Sequence, residues 1–386
     1  MLQRDDLTFP LDEYEARLAA VRRRLAAREL DAMLVSTPEN VCYLSGFETA
    51  GHFAFVGLLV PLEGEPACVA RALECPGVAA LTALERIVPY ADGDDPMRAV
   101  ADLVCAAGLG GRRVGFERSC WFFTAAQQDR LFAATADVDW RDASLLVEQE
   151  RVVKSAREIA LMQSAAASAS AGMLAGIAAA GAGVSEDEVA AQMHVALIRA
   201  GSEWPAIAPF VAAGERGAIG HATWSGRTLL RGDLLFLELA GCRRRYHAAL
   251  LRTIFVGEAG PRAREAFAVV QEAYDAAVAT VRPGVSAGAV DERARAVIAG
   301  SQFAGAQASR SGYSIGIAMS PDWGEGHILS LRLGEARMLE PNMTFHLLPW
   351  VQLPGEGGVG CSETIRVTQS GCASLTSGVP REPMIV

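Results

Sequence analysis

The chain has 386 residues, 51% of them hydrophobic, and a net charge of −10. That length predicts about two or three domains, and the acidic balance, with arginine runs no longer than Arg22–Arg24 and Arg243–Arg245, excludes nucleic acid or an anionic membrane as main partner. The eight cysteines are scattered without a C-x-x-C pair, which reads as reduced thiols rather than a disulfide framework.

Charged residues stand where a signal peptide needs an apolar run. The most apolar segment, "MLAGIAAAGAGV", is too short and glycine-rich to span a bilayer. The expectation is a cytoplasmic protein. Residues 11–29 then read as an amphipathic helix, with Leu11, Tyr14, Leu18, Val21 and Leu25 at helical spacing. "DAMLVS", "HFAFVGLLVPL" and "EPACVARAL" read as strands. Helical patterns near 95–107 and 124–134 flank the strand "RRVGFE". This alternation predicts an α/β domain over residues 1–148.

A second domain, 149–386, opens on a capping box, Ser155 with Glu158; the same device recurs at Ser185 and Glu188. "GVSEDEVAAQMHVALI" from Gly183 returns as "GVSAGAVDERARAVIA" from Gly284. "LLRGDLLFLELAG" (229–241) matches "MLEPNMTFHLLPW" (338–350) in pattern and order. Two matches in register predict a duplicated α+β unit with a pseudo-two-fold cleft.

Several residues invite chemistry. His221 sits in a loop-like stretch before a strand, and imidazole suits proton transfer near neutral pH. Glu238 interrupts the apolar strand "LLFLELAG", where a carboxylate is costly without a partner. Glu363 precedes "TIRVT" in the same manner; two carboxylates across a cleft divide acid and base roles when their environments differ. "SPDWGEGH" (320–327) reads as a site loop in which Trp323 and Asp322 meet a small cation. His346, alternating with Phe345, reads as structural.

Five segments, "VVKSAREIALMQSAA", "LLRGDLLFLELAG…YHAALLRT", "RSGYSIGI", "LEPNMTFHLLPW" and "GCSETIRVTQSG", resemble the creatinase/methionine aminopeptidase/prolidase superfamily over about residues 150–370. The first 150 residues are similar to the smaller domain of creatinase and prolidase. The resemblance implies a creatinase-type α/β N-terminal domain and an α+β pita-bread catalytic domain. It places the five metal-ligand positions on Glu238, Ala249, Tyr313, Leu348 and Glu363, too few donors for two cations. No metal and no cofactor is expected.

Ala249 in "ALLRT" and His221 before "RGD" resemble the metal-free members, creatinase and ectoine hydrolase. Leu251 stands where creatinase has a second catalytic glutamate. The implied function is metal-independent hydrolysis of an amide or amidine C–N bond in a small nitrogen-rich metabolite. His221, Glu238 and Glu363 are its expected catalytic residues, and Tyr313, Trp323, Asp322 and Arg71 its expected substrate contacts. The resemblance also implies a homodimer whose site lies near the interface, with Arg71 closing a neighbour's site. The rival readings are a metal-dependent Xaa-Pro peptidase or related lyase, and an inactive peptidase-like binding module.

Overall fold

The computed structural model describes residues Met1–Val386. Two compact units make up the chain, Met1–Arg151 and Val152–Val386. The division falls after Arg151 rather than after residue 148, because the short helix Glu148–Arg151 is tied into the first unit. Asn40 Nδ2 donates to Glu148 and Arg151 donates back to Asn40 Oδ1.

The first unit runs α1 (Leu11–Ala27), β1 (Ala32–Val35), α2 (Pro38–Ser45), β2 (Gly57–Pro61), β3 (Ala67–Arg71), α3 (Cys75–Leu81), β4 (Arg86–Tyr90), α4 (Pro96–Ala106), β5 (Arg113–Phe116), α5 (Ala125–Ala134), β6 (Asp139–Asp142) and α6 (Glu148–Arg151). Its six-stranded sheet has the order β4-β3-β2-β1-β5-β6. Strand β1 is antiparallel to β2 and parallel to β5. Leu34, Val69, Val114 and Phe116 pack with Val100 and Val104 of α4 in a continuous core. The expected strand "HFAFVGLLVPL" is realised only from Gly57 onward. The preceding residues turn, with Ala54 N donating to Gly51 O, and leave Phe53 exposed.

The second unit runs α7 (Ala156–Ala179), α8 (Glu186–Arg199), β7 (Phe210–Ala213), β8 (Leu234–Arg243), β9 (Tyr246–Phe255), α9 (Pro261–Thr280), α10 (Ala287–Ala299), β10 (Gly312–Ser314), β11 (Ser330–Leu331), β12 (Thr344–Leu347), β13 (Trp350–Leu353), β14 (Gly357–Val367), β15 (Cys372–Ser374) and β16 (Met384–Ile385). Helix α7 starts at the full capping box of Ser155 and Glu158. By length and composition it is apolar enough to cross a membrane, yet half of that stretch is buried, with Gly172 and Gly176 lying against Leu197 and Met193 of α8.

The duplication is visible in matched backbone contacts. Gly183 N donates to Leu229 O and Leu229 N to Val184 O; Gly284 N donates to Leu339 O and Leu339 N to Val285 O. Both glycines have positive φ, 93° and 78°, a conformation that disfavours a side chain. Each half then continues from a helix pair into strands of one sheet, ordered β11-β10-β12-β14-β9-β8-β7.

Candidate active site

Residues opposite one another across a ladder share a face of the sheet, and neighbours along a strand take opposite faces. Phe210 pairs with Glu238, Glu238 with Leu251, and Leu251 with Ser362. Two residues beyond Ser362, Thr364 pairs with His346, which pairs with Tyr313. One face therefore carries Phe210, Glu238, Leu251, Ser362, His346 and Tyr313.

Glu363 lies on the other face. Arg252 Nη2 donates to its Oε1 at 3.2 Å, and Tyr274 Oη to its Oε2 at 3.3 Å. The same guanidinium bonds the carbonyls of Ser362, Val379 and Pro380, so the pair fastens β9, β14 and the C-terminal segment together. The expectation that Glu363 works beside Glu238 is corrected by one residue of register: the side chain that β14 presents there is Ser362.

Glu238 is 7% exposed. Its carboxyl makes no hydrogen bond within the chain; His346 Nδ1 stands 3.9 Å from its Oε1. Burial pushes the carboxyl up to about 8, and the charge of Asp322 adds to the rise. Burial also holds His346 down to about 3, so at neutral pH the two are uncharged neighbours rather than an ion pair. His346, expected to be structural, is central: Nδ1 lies 2.9 Å from Tyr313 Oη and Nε2 2.5 Å from Ser362 Oγ. Tyr313 Oη also accepts from Trp323 Nε1 at 2.9 Å. Its phenol is raised well above the ordinary value, by burial first and then by Glu238. By contrast His247, whose ring spans Arg245 O and Ala206 N, is taken up by the scaffold.

Two loops reach this face. His221 is exposed, has a φ of 63°, and lies 5.5 Å from the Phe210 ring, centroid to centroid. Positive φ is uncommon outside glycine and is held by surrounding structure. Buried Glu186 ties the ends of this loop together: it accepts from Ala213 N at 2.8 Å, Arg216 Nη1 at 2.5 Å and Ser225 N at 3.0 Å.

The second loop carries Trp323, whose ring is 5.3 Å from Phe210. Ser320 Oγ fixes it to Ala206 O at 2.7 Å. A Cβ on Gly324 would stand 2.7 Å from the Tyr313 ring, so only glycine lets the loop close there. Of the loop's carboxylates, Glu325 is buried against Lys154 at 2.7 Å, while Asp322 is exposed and accepts from Gly324 N.

His221, Glu238, Tyr313, Trp323 and Asp322 thus come together through Phe210 and the charges that act on Glu238. Glu363 does not join them. Arg71 belongs to the N-terminal unit, where its guanidinium pairs with Asp92. Sequence reasoning missed Phe210, His346 and Ser362. Their partners lie on other strands, so no local pattern in β7, β12 or β14 singles them out.

The model of metallopeptidase family M24 matches residues 160–369, and that of the creatinase/prolidase N-terminal domain residues 17–153. An uncharacterized hydrolase/peptidase, y4tM, of Sinorhizobium fredii is 31% identical, covering 98% of this chain and 99% of its own length. Ectoine hydrolase of Halomonas elongata is 30% identical over 97% of this chain and 98% of its own. The crystal structure of dipeptidase PepE from Mycobacterium ulcerans superposes with a TM-score of 0.84 at 27% identity, covering 98% of this chain and 99% of its own.

Proposed function

The chain belongs to metallopeptidase family M24, with the creatinase/prolidase N-terminal domain, and is a hydrolase; from that premise we propose that it cleaves a C–N bond, amide or amidine, in a small non-peptide metabolite without a metal ion. The observation that carries this reading is Glu238, a buried carboxyl with no hydrogen-bond partner in the chain, facing a lining of aromatic rings.

A metal ion does not fit the residues present. Ala249, Leu251 and Leu348 offer no donor, both ring nitrogens of His346 are engaged, and Glu363 is on the far face in its pair with Arg252. No group of three or more His, Cys, Asp or Glu is placed to hold a cation. A site of this kind lacks the oxygen and nitrogen donors that hard or borderline divalent cations require.

The remaining groups supply a different route. Glu238 is protonated at neutral pH before substrate binds, since its pKa is pushed up to about 8. A cationic amidinium beside it favours the carboxylate, so the right substrate generates the base. Asp322 and the Trp323 and Phe210 rings favour the same charge. Glu238 then takes a proton from the attacking water as the C–O bond forms. His221 delivers a proton to the departing nitrogen as the C–N bond breaks. The products are a carbonyl compound and an amine.

A homodimer belongs to the proposal: Arg71, 27% exposed beside Asp92, would exchange that partner for the substrate carboxylate of a neighbouring copy. A peptide substrate is the second reading, favoured by the dipeptidase likeness. A panel of ectoine, hydroxyectoine, creatine, N-acyl diamino acids and Xaa-Pro dipeptides, assayed with and without chelator, separates them. The expected result is chelator-insensitive hydrolysis of a non-peptide member. Stoichiometric Mn, Co, Zn or Fe in the purified protein, with Xaa-Pro cleavage that chelator abolishes, overturns the proposal.

A further inference from the structure

We propose that Ser362 and His346 are positioning residues that lock the Tyr313 hydroxyl as a hydrogen-bond donor into the cleft, where it polarises the substrate's scissile carbon–heteroatom group. This rests on the C–N hydrolase reading for the bond that is broken, but the arrangement of protons stands on the geometry alone.

The argument begins at the buried end. Ser362 is fully buried. Its hydroxyl has one partner in the chain, His346 Nε2 at 2.5 Å. A buried donor without an acceptor is costly, whereas unfilled lone pairs are tolerated more readily. The Ser362 proton therefore goes to Nε2, which must be the bare nitrogen of a neutral imidazole. The ring proton then sits on Nδ1 and is donated to Tyr313 Oη, 2.9 Å away. Trp323 Nε1, a donor in every state, gives Tyr313 Oη a second hydrogen bond.

With both N–H groups pointing at it, the phenol oxygen is an acceptor twice over. Its own proton has no acceptor among its partners Trp323 and His346, and is directed to the open side, where Tyr313 is half-buried and Glu238 and the cleft lie. Donation into a hydroxyl oxygen strengthens that hydroxyl as a donor. As water adds to an amide carbon, negative charge collects on the carbonyl oxygen, and as it adds to an amidinium carbon a lone pair returns to the nitrogen; in either case a preorganised donor stabilises the electron density at the point where it develops. Burial keeps the phenol protonated across the working range. The chain thus replaces Lewis-acid polarisation with a fixed hydroxyl.

Histidine 15N NMR reads which ring nitrogen carries the proton, and the resonance lost in His346→Gln assigns the signal. The expected state is Nδ1–H in wild type, shifting toward Nε2–H in Ser362→Ala and returning in Ser362→Thr. An Nε2–H wild type means that Tyr313 donates to His346, and overturns the proposal whatever the enzyme hydrolyses. On ectoine, or the panel member that wild type turns over, Tyr313→Phe should lower kcat about 10²–10³-fold with a small change in KM. Ser362→Ala should lower kcat about tenfold, with Ser362→Thr restoring it and no added loss in the double variant with Tyr313→Phe. Independent, additive losses also overturn the relay. If no panel member is hydrolysed, the C–N reading fails and the tautomer measurement still decides the relay.

Discussion

Glu117 and Glu238 are both buried carboxyls in strand-rich cores, and burial raises both. Glu117, in the N-terminal unit, accepts from Ser36 N at 2.6 Å, Thr37 N at 2.5 Å and Asn40 Nδ2, and Asn40 links it onward to Glu148 and Arg151. Glu238, in the C-terminal unit, has no such donor. Glu363 behaves like Glu117, satisfied by Arg252 and Tyr274. A raised pKa therefore does not mark the site; Glu117, the more thoroughly hydrogen-bonded group, is pushed up to about 7. What separates the carboxyls is whether the fold completes their hydrogen bonds or leaves them for a ligand.

The sharpest way to break this comparison is turnover. Glu238→Gln keeps the shape and removes the proton acceptor, and His221→Ala removes the proton carrier. Each should lower kcat about 10²–10⁴-fold, roughly 3–5.5 kcal/mol of barrier, with the folded state intact. Near-wild-type turnover in either variant, on the panel substrate the enzyme accepts, would sink its assigned role.

Glu363 should show the opposite signature. Glu363→Ala leaves the Arg252 guanidinium buried without its counter-charge, a change that typically costs about 3–5 kcal/mol of stability. Denaturant unfolding should show that loss, while the protein that remains folded at low temperature keeps most of its kcat. A stable Glu363→Ala protein that is catalytically dead would restore Glu363 to the chemistry and contradict the face assignment.

The fold was readable in the sequence where local signals agree. The capping box at Ser155, the Ser185 N-cap, where Glu188 N donates to the serine but the glutamate side chain does not complete a box, and the paired "GVS" segments locate helix starts and the duplication from short-range chemistry alone. His221 and Glu238 stand out as odd residue types for their surroundings, whereas Tyr313 is singled out only by the family resemblance. Glu363, which the resemblance puts in the site, faces away from the cleft, and because Ser362, Glu363 and Thr364 are all polar the local pattern does not reveal the shift. Where three polar residues run together, alternation gives no indication of which side chain faces the cleft; pairing with β9 and β12 decides it. The expectation that His346 is structural fails for a related reason. Its partners lie on β10 and β14, and nothing within its own strand announces them.

The comparison also predicts a smaller, pH-dependent difference in stability. A carboxyl whose folded pKa is raised binds more protons in the folded than in the unfolded state between the two values. Stability is then lost as pH rises through that window. For Glu238 the window runs from its ordinary value of 4.5 to about 8. Glu238→Gln cannot titrate and keeps a neutral polar group in the same space. The two proteins should therefore unfold with similar free energies near the lower end of the window. The variant should become progressively the more stable, by roughly 1–3 kcal/mol at the upper end, a fraction of the 1.36 kcal/mol per pKa unit that full linkage allows. Glu117 titrates in the same direction, but it is present in both proteins and cancels from the difference. Urea unfolding of both proteins across that pH range reads the divergence directly. Parallel curves would mean that Glu238 is already ionised near its ordinary pKa. Glu238 would then hold a partner as Glu363 does, and the contrast between the two carboxyls would disappear.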